Sequence, residues 1–278
     1  MKISLIVSDV DGTLLPEEEN VEDGIRELAR LIKENNLPFT LASGRPYRKM
    51  EALRKELGIR LPMVVCNGSG LWDGERYLWN RKLKTDEMRP VLEFADETGM
   101  AVIVSREGKD QVFRKNQYIA ERPFSREEEY RPESEEEWKQ YTVQKLLIID
   151  PGSPGRMESV VKKIRETTNN CQVVWYDSRG IEVMPKGCTK GQGVRELAEY
   201  LHIPLEEVMV FGDNKNDLDM FHLAGFSVSV SNGVEEIKKA ADYVTGRPCV
   251  YGVVEGIKKY CCGGQEERNE TKIMEKED

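Results

Sequence analysis

Two carboxylates stand one residue apart at Asp9 and Asp11, directly after the apolar run 3–8, I-S-L-I-V-S. In extended backbone, residues i and i+2 point the same way. Both acids therefore face one small volume at the carboxyl end of a buried strand, where open parallel sheets place their ligands. Like charges about 4 Å apart repel by roughly 4 kcal/mol at an effective dielectric near 20, so the pair calls for a shared proton or a bound cation. A hard, oxygen-seeking ion such as Mg²⁺ suits such a site best. A strand end followed by an Asx-Gly turn through Gly12 explains one acid and the glycine, but not both acids.

Four further groups have chemistry to offer. Ser43 and Gly44 follow the apolar stretch 37–42, where a hydroxyl and backbone N–H groups can hold a phosphate oxygen; a helix N-cap with a glycine turn accounts for the same residues. Lys190 follows Thr189, a plausible N-cap, and falls in the first turn of a helix, where a cation opposes the helix dipole unless an anion sits beside it. An exposed surface lysine is the plainer account. The strand 207–211 ends in G-D-N-K-N-D, clustering Asp213, Asn216 and Asp217 on a second acidic strand end, more than capping alone requires. Asn67, after the short strand 63–66, reads as part of an Asn-Gly turn or as a side chain reaching the same pocket.

The elements that would position these groups alternate in type. A helix over 21–35 carries Ile25, Leu28, Ala29 and Ile32 at helical spacing between the strands 3–8 and 37–42, a right-handed parallel unit that brings Ser43 out at the same sheet edge as Asp9. A helix over 47–57 and a hairpin over 71–78 follow. From about residue 84 the pattern changes: helix 88–97, strands 101–105 and 111–118, strand 142–150, a turn at 151–155, helix 157–168 and strand 171–176. The glutamate-rich 122–140 reads as a solvated face or mobile segment. Stretch 180–185 returns toward the core, a helix runs to 200, and 218–244 continues a βαβ alternation. The spacing predicts a core of 1–84 and 185–278, with an α+β module of 85–184 inserted and a loosely ordered tail after about 262.

Composition narrows the class. The chain has 278 residues, enough for one large or two modest domains with real cores. No apolar run approaches the roughly 20 residues that span a bilayer, and the chain opens on a strand instead of a leader, so a soluble, cytoplasmic protein is the expectation. The six cysteines lack zinc spacing and read as free thiols. A net charge of −9 argues against a nucleic-acid surface, and only His202 and His222 are available for imidazole chemistry.

The ordered set D-V-D-G-T-L at 9–14, Ser43 after a strand, Lys190-Gly191 opening a helix and G-D-N-K-N-D at 212–217 resembles the Cof-like phosphatases of the haloacid dehalogenase superfamily. The resemblance covers essentially the whole core. It implies an α/β fold: a Rossmann-like parallel sheet with an inserted α+β cap that sets specificity. It further implies an Mg²⁺-dependent phosphatase acting on a small phosphorylated metabolite, a sugar phosphate or similar, through an aspartyl phosphate. Asp9 would be the nucleophile and Asp11 the general acid and base. The metal would be held by Asp9, the backbone carbonyl of Asp11 and Asp213, with Asp217 orienting that shell or Lys190. Ser43, Gly44, Asn67, Lys190 and Asn216 would bind the phosphoryl oxygens. A phosphomutase of the same architecture, a signalling domain and a silent metabolite-binding protein are the alternatives, and no nucleic-acid or membrane partner is expected.

Overall fold

The computed structural model describes residues 2–16, 20–152, 155–175 and 179–262. The expectation about the tail after 262 lies outside the described residues. Two compact units form: residues 1–43, 51–63 and 190–278 in the first, and 44–50 and 64–189 in the second.

The first unit is built on a five-stranded parallel sheet in the order Tyr243–Val244, Phe226–Ser229, Val208–Gly212, Leu5–Ser8, Phe39–Leu41. Its centre is the run Leu5–Ser8, buried at every position as its unbroken aliphatic pattern demands. Register pairs Ser8 with both Phe211 and Leu41, so three strands end level with one another. Helix Glu22–Glu34 turns Ile25, Leu28, Leu31 and Ile32 inward, each full burial contributing about 1.5–3 kcal/mol. It packs against helix Cys249–Cys261, an element the sequence reading did not anticipate. Glycines make poor helix formers, yet here Gly256 brings the helix so near the sheet that a Cβ would lie 2.7 Å from the Phe211 ring.

The second unit holds a six-stranded sheet ordered Cys171–Trp175, Gly180–Pro185, Lys145–Ile149, Ala101–Arg106, Lys109–Val112, Glu128–Glu129. One face carries Val102, Val104, Leu146, Ile148, Ile181 and Val183 into a core with helices Thr85–Glu97 and Arg156–Thr167. The opposite face carries Ala101, Ile103, Val112, Leu147 and Ile149. The expected hairpin is present as Gly70–Trp72 with Tyr77–Asn80, and Trp72 stacks on Tyr47 at 3.7 Å between ring centroids. All of 85–184 lies in this unit, together with 44–50, 64–84 and 185–189.

Several local expectations are corrected. Residues 47–57 form a 3₁₀ turn, Tyr47–Lys49, and a separate helix, Glu51–Glu56. The strand expected over 111–118 stops at Val112, because Asn116 caps a short helix, Gln117–Ala120, by accepting the Ile119 N–H. The acidic 122–140 is ordered: Ser134 and Glu137 form a reciprocal capping box on helix Glu135–Gln140, whose Trp138 is buried. Gly180–Pro185 is an interior strand of the second sheet instead of a return to the first. All six cysteines are free thiols. No helix among the described residues is long and apolar enough to cross a membrane.

Candidate active site

The level strand ends of the first unit set Asp9 after Leu5–Ser8 and Asp213 after Val208–Gly212, with the Asp9 N–H donating to Phe211 O at 3.0 Å. Asp9, Asp213 and Asp217 each offer a carboxylate oxygen, and the three atoms lie within 4.8 Å of one another. Gly12 makes the approach possible: its φ is +82°, and a Cβ there would fall 2.3 Å from Asp213 Oδ2.

Lys190, first residue of helix Lys190–Tyr200, joins the cluster. Its ammonium donates to Asp9 Oδ1 at 2.6 Å and to Asp217 Oδ1 at 2.7 Å. Only 2% of Lys190 is exposed, which removes the surface-lysine account. The two carboxylates are the anions that a cation at a helix start requires. The helix start itself is tied down by the Gly191 N–H, which donates to Asp219 Oδ2 at 3.0 Å. Asp217 is fully buried; its Oδ2 accepts the backbone N–H groups of Asp213 at 3.0 Å and Asn214 at 3.1 Å. The turn Lys215–Asp217 is capped by Asn214, in a capping box with Asp217.

Burial dominates the electrostatics. It pushes the Asp9 carboxyl well above the usual carboxylate range, Lys190 lowering it in part while Asp217 and Asp213 add to the rise. Asp213 is raised too, chiefly by burial, against the Thr13 hydroxyl that favours its charged form. Burial alone would pull the Lys190 ammonium down, but Asp217 and Asp9 outweigh it and hold the amine protonated. Fully ionised, the three carboxylates would outnumber the one ammonium by two charges in a buried site, the condition that a divalent cation relieves. The donor set, all oxygen, fits a hard ion.

The remaining sites divide between the units. Ser43, fully buried, follows Phe39–Leu41 at the same sheet end as Asp9, while Asp11 and Asn216 are exposed members of the loops after Asp9 and Asp213. Gly44 and Asn67 belong to the second unit. There the Asn67 amide nitrogen donates to Glu182 Oε2 at 2.7 Å, and its buried Oδ1 is unpartnered, an acceptor whose polarity does not suit a phosphoryl oxygen. His202 and His222 are both exposed, outside the cluster.

Two residues escaped the sequence reading. Thr13 donates to Asp213 Oδ1 at 2.6 Å and lies 3.3 Å from Asp9 Oδ2, tying the two acidic strand ends together. Asn232 Nδ2 donates to the Gly12 carbonyl at 2.8 Å while its Oδ1 accepts the Cys249 N–H, fixing the Asp9 loop from 220 residues away. The one signal for Thr13 is its place in the D-V-D-G-T run; Asn232 has none.

The haloacid dehalogenase-like hydrolase model matches residues 6–257 of the chain. A 5-amino-6-(5-phospho-D-ribitylamino)uracil phosphatase of Bacillus subtilis is 23% identical over 92% of this chain and 97% of its own. A phosphoglycolate phosphatase of Methanosarcina acetivorans is 27% identical over 92% and 96%. Among solved structures, a haloacid dehalogenase-like hydrolase from Bacteroides thetaiotaomicron aligns with a TM-score of 0.76 at 26% identity, covering 93% of this chain and 99% of that one.

Proposed function

The chain belongs to the haloacid dehalogenase-like hydrolase family and is a phosphoric monoester hydrolase, and from that premise we propose that it releases phosphate from a small phosphorylated metabolite through an aspartyl phosphate, with Mg²⁺ as the metal. The observation that carries the reading is the buried Lys190 ammonium bound to both Asp9 and Asp217, with Asp213 alongside.

Asp9 is the nucleophile: a carboxylate oxygen attacks phosphorus as the bond to the leaving oxygen breaks, and Lys190 favours the ionised form against the effect of burial. Asp11, exposed in the loop that follows Asp9, gives a proton to the leaving oxygen. It then takes a proton from the water that attacks the phosphoryl group, and Asp9 is regenerated. Ser43, Lys190 and Asn216 supply donors to the phosphoryl oxygens as charge spreads over them. Asp9, the Asp11 carbonyl and Asp213 would hold the metal, with Thr13 and Asp217 keeping these groups in place. Bound there, Mg²⁺ offsets the surplus negative charge and draws charge from the phosphoryl oxygens. The relatives' substrates, a ribityl phosphate and phosphoglycolate, support a small phosphate monoester as the substrate class.

The test is phosphate release from an aryl phosphate with Mg²⁺ and with a chelator. Release is expected only with the metal, and Asp9→Asn is expected to lower kcat by at least about a thousandfold. Undiminished turnover in Asp9→Asn would overturn the assignment of the nucleophile.

A further inference from the structure

Gly12 is the joint of the loop after Asp9, and hydrogen bonds hold it on both sides. Its N–H donates to Leu15 O at 2.8 Å, which fixes the plane of the Asp11–Gly12 peptide, and its carbonyl accepts from Asn232 Nδ2 at 2.8 Å. In a trans peptide the C=O and N–H point opposite ways, so the first bond also directs the Asp11 carbonyl. Leu15 belongs to the same loop, however, and moves with it. Asn232 is different: it ties the Gly12 carbonyl to the segment 230–234, whose Val234 N–H donates to Asp213 O at 2.8 Å and whose Val230 N–H donates to Gly212 O at 3.3 Å. One short segment therefore holds both acidic loops.

The other end of the Asn232 amide is equally committed. Its Oδ1 accepts the Cys249 N–H at 2.9 Å, at the start of helix Cys249–Cys261, where the N-cap Pro248 offers no side-chain acceptor. Turning the amide would set oxygen against the Gly12 carbonyl and nitrogen against the Cys249 N–H, so its orientation follows from its partners. Both partners are left-handed, Gly12 at φ +82° and Cys249, which is not a glycine, at φ +48°. Such backbone persists where its surroundings over-determine it, and it gathers at functional sites. Asn232 itself is exposed, where water competes for its bonds and their net contribution to folding is small. Geometry is what they secure.

We propose that Asn232 is a positioning residue for the cation: without touching metal or substrate, it keeps the Asp11 carbonyl and the Asp213 carboxylate in one fixed relation, so that a single Mg²⁺ meets both. The inference rests on the metal assignment within the phosphatase reading. Mg²⁺ demands near-ideal octahedral geometry, so ligands on two separate loops serve it only if the loops are held to each other. Glycine at the joint makes the demand sharper, because no Cβ limits its rotation once the carbonyl is released.

The test is the Mg²⁺ dependence of the melting temperature, which gives the Kd of the metal without turnover. In Asn232→Ala that Kd is expected to rise about tenfold, while kcat at saturating Mg²⁺ stays within about threefold of wild type. The variant also loses the acceptor for the Cys249 N–H and should melt lower in chelator. Pro248→Ser separates the two effects, since a serine at this extended N-cap position caps the helix from its own side chain. In Asn232→Ala with Pro248→Ser, melting in chelator is expected to return toward wild type with the Kd still raised about tenfold. Should Asn232→Ala fail to fold, the double variant is compared with Pro248→Ser alone. A Kd that recovers with the stability, or that never rises, would make Asn232 a helix cap and nothing more, and would overturn the proposal. A wild type whose melting does not respond to Mg²⁺ would instead remove the metal assignment beneath it.

Discussion

Thr13 holds the two acidic strand ends together through one hydroxyl, 2.6 Å from Asp213 Oδ1. Thr13→Val keeps the shape and deletes the donor, so Mg²⁺ should bind about 10- to 100-fold more weakly, read from the metal dependence of phosphate release. Apart from its place in the D-V-D-G-T run, nothing in a turn threonine announces such a role, whereas Asp9 and Asp11 were legible because two acids after an aliphatic strand have no other simple explanation. Asp213 supplies a pH test. Burial raises its pKa, so the folded protein binds a proton more tightly than the unfolded chain and loses stability as pH rises from the ordinary carboxylate value near 4. In chelator at neutral pH, Asp213→Asn should therefore melt above wild type, with the gap closing below about pH 4. Added Mg²⁺ should close it from the other side by favouring the ionised form; a variant less stable than wild type in chelator at neutral pH would contradict the charge excess assigned to the cluster.

Among elements, those with unbroken local signals came out of the sequence nearly as they stand: the strand Leu5–Ser8, the amphipathic helix Glu22–Glu34, and the hairpin before residue 81. Misread elements were short ones whose limits depend on a single cap. Asn116 ends one strand and starts a helix within five residues, and the glutamates of 122–140 looked solvated until Trp138 found its place in the second core. Ser134 is the hinge of that correction. Ser134→Ala removes the acceptor for the Glu137 N–H and should lower the unfolding free energy by about 1 kcal/mol in urea titration. No change would mean that helix Glu135–Gln140 contributes nothing to the folded unit. Helix Cys249–Cys261 was missed because its cysteines and glycines score poorly as helix formers, although Val250, Val253, Val254 and Ile257 are spaced to pack.

At the scale of the whole molecule, the two compact units should respond differently to the metal. A ligand that binds only the folded state stabilises by about 2.7 kcal/mol at a hundred times its Kd, and the acidic cluster proposed to hold the metal lies wholly in the first unit. Hydrogen exchange should slow in Leu5–Ser8 and Val208–Gly212 on adding Mg²⁺ and stay unchanged in Ala101–Arg106 and Lys145–Ile149. Equal protection in both sets would show that the units unfold as one. By itself, the amino-acid sequence determined the parallel sheet, the acids at two of its strand ends and the order of the phosphatase motifs, because strand burial, turn chemistry and helix periodicity are set within a few residues. Only the tertiary structure decided that Lys190 lies between Asp9 and Asp217, and that Asn67 gives its amide N–H to Glu182, 115 residues away. Those contacts join segments with no local reason to meet, and whether a buried lysine stays charged or an amide presents its oxygen depends on what packing sets beside it.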